Sequence, residues 1–197
     1  DIGLFIVPAQ YEGLSQTPLK TIASDKQSEV VLDNVTVPRS SLLGPVNKGW
    51  STIQKVLQWG AIGKCAEMSG GGQRVLDMTV EYVQQRTQFG RPIGSFQAIQ
   101  HHCADMATDV EASKYITYQA AWRLSEELPS AREVAMAKAW VSDAYQRVCV
   151  LGHQCHGAIG FTKEHNMQLF SRRAKAAELA FGESDFHRDQ VATAIGL

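Results

Sequence analysis

The stretch Val134-Ala135-Met136-Ala137-Lys138-Ala139-Trp140-Val141-Ser142-Asp143-Ala144-Tyr145-Gln146-Arg147-Val148-Cys149-Val150-Leu151 decides the fold. Within it Val134, Ala137, Val141, Ala144, Val148 and Leu151 recur at alternating steps of three and four, the period of one face of an α-helix. So regular a stripe is a bundle seam, and it requires partner helices with stripes of their own.

The flanking sequence supplies them. A helix from about Ser95, a good N-cap, to about Leu128 carries Ile99, Cys103, Met106, Val110, Thr117, Ala120 and Leu124 on one face. Before it, a very long helix from Lys48 carries Ile53, Leu57, Ala61, Cys65, Met68, Val75, Thr79 and Val83. Phe89-Gly90-Arg91-Pro92 is read as its stop, a glycine followed by a proline. Beyond the break at Gly157–Gly160 a fourth helix is expected over Glu164–Leu179, and a fifth over Ser184–Ala194. The fold expected is mainly α: an up-and-down four-helix bundle with a short terminal helix.

Residues 1–45 have another character. Leu4–Pro8, Thr17–Ile22 and Ser28–Leu32 read as strands, with turns at Tyr11-Glu12-Gly13 and Ala23-Ser24-Asp25-Lys26. Three strands make a poor core alone. The expectation is a division into 1–45, the closing part of a β domain begun upstream, and 46–197, the helical bundle.

Composition narrows the function. Of 197 residues 44% are hydrophobic and 20% charged, which is globular composition. Nineteen basic against twenty acidic residues give a net charge of −1, without the concentrated positive field that nucleic acid binding needs. No stretch approaches the ~18–20 apolar residues of a membrane span. Four scattered cysteines without a CxxC pair fit a reducing compartment, the cytoplasm or a mitochondrial matrix. Cys149 and Cys155 with His153 and His156 have no matching second half, so no metal site is expected.

Three segments could carry chemistry. Gly60, Gly63 and Gly70-Gly71-Gly72 lie inside the first long helix, where each glycine costs about 1 kcal/mol against alanine; tight helix packing or a wall thinned for a flat ligand would explain them. Arg86-Thr87-Gln88-Phe89-Gly90 puts a guanidinium, suited to a phosphate, at the end of that helix; a plain basic terminus favoured by the helix dipole is the alternative. Gln154-Cys155-His156-Gly157-Ala158 offers an amide, an imidazole and a backbone open to close approach, or else an ordinary loop. Asp185, His187 and Asp189 read as a solvated polar stretch.

In order along the chain, these segments resemble the acyl-CoA dehydrogenase family. Arg86-Thr-Gln-Phe-Gly90-Arg-Pro-Ile-Gly-Ser-Phe-Gln97 is similar to its Arg-x-x-Phe-Gly segment leading into Gln. Gln154-Cys-His-Gly157-Ala-Ile-Gly160-Phe resembles Gln-x-x-Gly-Gly-x-Gly-[FY], and Arg172-Arg-Ala-Lys175 the Arg-Asp-Ala-Lys that follows. Pro38, Leu42-Leu-Gly44 and Lys48-Gly49-Trp50 are like the junction between the family's middle β domain and its C-terminal helical domain.

The resemblance implies FAD, an acyl-CoA substrate oxidised at its α,β bond, electron transfer to an electron-transfer flavoprotein, and a tetramer. It assigns Arg86 to the FAD pyrophosphate of a neighbouring subunit, with Gln88 and Phe89 alongside, and Gln154, His156, Gly157 and Ala158 to the adenosine end. It also exposes a departure. Most members carry the base, a glutamate, in Tyr-Glu-Gly-Thr, and counting from Gln154 puts that position at Phe181. In the isovaleryl and long-chain branch the base lies on the first long helix, and counting from Lys48-Gly49 puts it at Gly60. Neither residue accepts a proton.

Three explanations stand. Glu183 substitutes, sharing a face with Phe181 if the backbone is extended at Gly182, whereas in a helix the two lie roughly 200° apart. A carboxylate from an N-terminal part upstream, or from elsewhere on the bundle, such as Glu67 one heptad beyond Gly60, takes the role. Or the chain is the non-catalytic partner in a heteromeric dehydrogenase. Outside the family, a helical bundle used only for assembly is the remaining alternative. As a piece holding only part of the flavin site, the chain alone is expected to be inactive.

Overall fold

The structure of the protein, a computed structural model, describes residues 2–197 and divides into two compact units, Asp1–Leu57 and Gln58–Leu197. In the first, β1 (Leu14–Leu19) and β2 (Gln27–Leu32) form an antiparallel pair in register Leu14↔Leu32 to Leu19↔Gln27. Gly13 leads into it with φ +81°, and a Cβ there would lie 2.3 Å from the Asp33 carbonyl oxygen, so only glycine fits.

Two strand expectations need correction. Leu4–Pro8 makes only a single bridge, Phe5 with Leu42, because the facing segment Arg39–Ser41 coils into a 3₁₀ turn and offers no further ladder. Ile22 lies beyond β1, in a turn that Thr21 Oγ1 closes by donating to the Asp25 carbonyl, 3.0 Å away.

Among the described residues five α-helices follow: α1 (Gly49–Gln85), α2 (Gln97–Ser125), α3 (Ala131–His156), α4 (Met167–Leu179) and α5 (Ser184–Ala194). The boundary between the units falls inside α1. Between α1 and α2 the expected helix stop is a small hairpin, β3 (Thr87–Gln88) with β4 (Arg91–Pro92), turned by Phe89 at φ 52° and Gly90 at φ 77°. Arg86 therefore sits just past the helix, at the root of the hairpin. Ser95 is not the N-cap of α2: its hydroxyl donates to the Pro92 carbonyl (2.7 Å) within the 3₁₀ turn Ile93–Ser95, and the helix begins at Gln97 after Phe96. α4 starts three residues later than expected, at Met167.

α3 is the centre of the bundle and packs against α2, α4 and α5. Its seam is buried from Val134 to Val148, but so is a second face, including Ala135, Lys138, Ala139, Ser142 and Tyr145. A helix buried on most sides needs small residues, and the alanines at 135, 137, 139 and 144 let its neighbours approach. Against it lie Ala61, Cys65, Met68 and Val75 of α1, Met106 and Val110 of α2, and Met167, Ala174 and Ala177 of α4. Among the described residues no helix is long and apolar enough to cross a membrane.

Candidate functional site

The two segments proposed for a cofactor meet at one end of the bundle. The Arg86 N–H donates to the Tyr82 carbonyl (2.8 Å), continuing the last turn of α1, and the Arg86 carbonyl accepts from Ile93 N–H (2.8 Å), closing the hairpin. One turn before Arg86, the Tyr82 ring stacks on His156 with centroids 4.5 Å apart. His156 is the last residue of α3, and its Nδ1 lies 2.8 Å from the Gly152 carbonyl. The stack thus ties the root of the hairpin to the turn that follows α3.

His156 is 5% exposed, and its ring braces the two segments from inside. Gln154, Gly157 and Ala158 are exposed, and Gly157, at φ +66°, has nothing within 4 Å of where a Cβ would stand.

On the hairpin, Arg86 is exposed and no ion pair among the described residues engages its guanidinium. Gln88 is exposed, and Phe89, 92% exposed, projects from a left-handed residue. The Arg91 guanidinium sits 4.1 Å over the Phe96 ring, and Phe96 meets Phe89 edge-on at 6.1 Å, so the hairpin is braced from its own side. An uncommitted guanidinium, an open glycine backbone and an uncovered ring suit a flat cofactor with a diphosphate.

Gly60 and Phe181 also come together. A Cβ on Gly60 would lie 2.3, 2.6 and 2.8 Å from Cε1, Cζ and Cδ1 of Phe181. One residue has no side chain, and the ring of the other fills the space. Phe181 remains 41% exposed, so its outer part is accessible.

Glu183 is exposed at the N-cap position of α5. Gly182 has φ +100°, not the extended backbone that would put Glu183 beside Phe181, and the Glu183 charge is felt instead by Lys175 of α4. Glu67 accepts from Lys64 Nζ at 2.7 Å and from Arg173 at 3.1 Å, and the Lys64 hydrogen bond leads the effects that hold its carboxyl below the usual range. That makes it a poor proton acceptor.

Two buried polar residues near this turn escape a reading by pattern. Lys138, 0% exposed, directs Nζ to the Glu178 and Gly182 carbonyls, both at 2.8 Å, and to Ser142 Oγ at 3.1 Å. His187, 4% exposed, places Nε2 3.0 Å from the Phe181 carbonyl, so it is no part of a solvated stretch. Its neighbours Asp185 and Asp189 are exposed. The one signal for Lys138 is a charged residue within the alanine-rich face of α3.

Residues 47–196 match the family model described as acyl-CoA dehydrogenase, C-terminal domain. The chain is 34% identical over 97% of its length to a probable acyl-CoA dehydrogenase of Bacillus subtilis, YngJ, of which it covers 51%. It is 33% identical over 93% of its length to the CarC subunit of the caffeyl-CoA reductase–Etf complex of Acetobacterium woodii, covering 49% of it. Butyryl-CoA dehydrogenase from Megasphaera elsdenii superimposes with a TM-score of 0.94 at 29% identity, over 98% of this chain and 51% of that one. The chain spans about half the length of these relatives. With a family model matching three quarters of its length, over the helices that bring the two segments together, the chain belongs to the acyl-CoA dehydrogenase family.

Proposed function

We propose that the chain is the C-terminal part of a FAD-dependent acyl-CoA dehydrogenase. The observation that supports the reading is the Tyr82–His156 stack, which ties the root of the Arg86 hairpin to the end of α3, where Gln154 and His156 lead into Gly157 and Ala158. FAD, when bound, supplies the hydride acceptor for α,β-desaturation of an acyl-CoA thioester. Arg86 holds the pyrophosphate of a FAD in a neighbouring subunit through paired N–H donors, and Gln88 and Phe89 lie along the same cofactor. Gln154, Gly157 and Ala158 meet the adenosine end, where absent or small side chains allow close backbone approach. Glu183 is the proposed proton acceptor on this chain. Electrons leave to an electron-transfer flavoprotein, the assembly is a tetramer, and the compartment is the cytoplasm or a mitochondrial matrix.

The test is a visible spectrum of the full-length protein purified under native conditions. A flavin spectrum is expected. Arg86→Ala removes a charge-assisted pair worth roughly 1.5–3 kcal/mol, so FAD affinity should drop about 10- to 100-fold. A colourless protein with no affinity for added FAD would overturn the reading.

The Gly60–Phe181 contact favours a second reading, in which this is the non-catalytic subunit of a heteromeric dehydrogenase. Desaturation assays on the full-length flavoprotein, with and without a base-bearing partner subunit, separate the two. Activity alone that is lost in Glu183→Gln supports Glu183; activity only with the partner, unchanged in Glu183→Gln, supports the heteromer.

A further inference from the structure

The carbonyls around Phe181 are held from within the bundle by side chains of two helices. Lys138 of α3 donates to the Glu178 and Gly182 carbonyls and to Ser142 Oγ. Three acceptors around one nitrogen are the complement of the three N–H bonds of an ammonium. Two of them lie at and just past the end of α4, where the helix dipole favours a cation. His187 of α5 adds a hydrogen bond to the carbonyl between them, that of Phe181. Lys138 and Cys65 of α1 are both wholly buried, and burial keeps the Cys65 thiol protonated, so the carbonyls and Ser142 are the groups that receive the ammonium.

The turn so held has a conformation that a phenylalanine does not choose. Phe181 has φ +59° and Gly182 φ +100°, two left-handed residues in succession. Such a backbone persists where the surroundings over-determine it. Its consequence is the direction of one side chain: the ring lies across Gly60 with its outer part exposed. Gly60 and Phe181 are the two positions that the family resemblance gives as alternatives for the base. Under the acyl-CoA reading, their contact would lie at the reacting end of the acyl site.

We propose that Lys138 and His187 are positioning residues that hold the Phe181 ring over Gly60, and that the ring so held selects the acyl group of the bound thioester. The proposal rests on the acyl-CoA reading above. A fixed ring leaves room for a slender straight chain and collides with a branch near the thioester. A ring freed from its turn, or removed, leaves the space over Gly60 to that branch. Discrimination between acyl groups differing by one methyl-sized feature is roughly 10- to 200-fold.

The test is calorimetric titration of the full-length flavoprotein with butyryl-CoA and isobutyryl-CoA, read as the ratio of the two affinities. Phe181→Ala should shift the ratio toward the branched thioester by about 10-fold or more. Lys138→Met should shift it in the same direction, and Lys138→Met in the Phe181→Ala background should add nothing. His187→Gln, which retains a donor of similar reach, should keep the wild-type ratio, and His187→Leu should not. A purely structural Lys138 predicts a lower melting temperature with the ratio unchanged, and that result overturns the proposal. So does an unchanged ratio in Phe181→Ala, a variant at a partly exposed ring that tests the idea even if Lys138→Met does not fold. Wild-type protein that binds neither thioester overturns the acyl-CoA reading and the selectivity with it; binding without the expected shifts overturns the present proposal and leaves that reading standing.

Discussion

The ring of Phe181 occupies the space that a side chain on Gly60 would need, with Cε1 2.3 Å from the position of its Cβ. The two residues are a size-matched pair across the bundle. An alanine at position 60 improves helix propensity by about 1 kcal/mol. It also forces the ring aside, and overpacking of this kind costs about 1–3 kcal/mol. Gly60→Ala should therefore be destabilising by up to about 2 kcal/mol with Phe181 present. In a Phe181→Ala background the same change should stabilise by about 1 kcal/mol. Urea unfolding of the four proteins checks the sign reversal; equal effects in both backgrounds would show that the pair is not coupled.

The other glycines of α1 divide by the same criterion. A Cβ on Gly71 would stand 2.4 Å from Oη and 2.7 Å from Cζ of Tyr145, a buried residue of α3 that cannot swing into solvent. Gly71→Ala should cost about 1–3 kcal/mol. Gly63 and Gly70 have nothing within 4 Å, so Gly63→Ala and Gly70→Ala should each stabilise by about 1 kcal/mol. Thermal melts of the three variants test the division. A fall in melting temperature for all three would mean that the open face over Gly63 and Gly70 is covered in the native assembly.

These glycines show where sequence stops informing structure. Position and spacing revealed that α1 carries too many glycines for a free helix, but what each one faces depends on residues 70 to 120 places away, such as Tyr145 and Phe181. The seam of α3 was legible because burial along a helix repeats with its own period, and Val134 to Val148 lie inside as that period requires. Its second buried face was not, because the alanines, Ser142 and Lys138 that line it make no hydrophobic stripe. At the candidate site Arg86, Gln88, Phe89, Gln154, Gly157 and Ala158 stand out in the sequence by residue type, and all six are exposed. The burial of His156 and His187 was not, since an imidazole is equally at home stacked inside or solvated outside.

Three of the imidazoles give the fold a pH dependence. Burial is the largest cause holding His153, His156 and His187 below the ordinary value of 6.5. Each then binds a proton less readily folded than unfolded, so the unfolded chain takes up more protons as pH falls. Stability contributed by these residues is complete above about pH 6.5 and declines as pH drops through their lowered values. Glu67 and Glu133, both held below 4.5, lose their contributions only in a more acidic range. The melting temperature should fall between pH 7 and pH 5, and His187→Gln should flatten part of that slope. A flat profile over this interval in the wild type would remove the argument.

The position of the missing base gives the last prediction. Glu67 lies on α1 one heptad past Gly60, but Lys64 and Arg173 bind both of its oxygens and stabilise it as an anion. An anion so stabilised gains little by taking a proton, so Glu67→Gln should leave α-proton removal unchanged. Phe181 is different, since its ring already reaches Gly60 and is partly open to solvent. Phe181→Glu puts a carboxylate on the turn that Lys138 and His187 hold, with no clash at Gly60 from the shorter, thinner side chain. A positioned general base contributes about 10²- to 10⁴-fold. Under the acyl-CoA reading, exchange of the α-protons of butyryl-CoA with D₂O on the full-length flavoprotein, followed by NMR, should rise by that order in Phe181→Glu and not in Glu67→Gln. If wild-type exchange is already fast and Glu183→Gln abolishes it, the base is Glu183, and the turn brings that carboxylate to the substrate when the thioester binds.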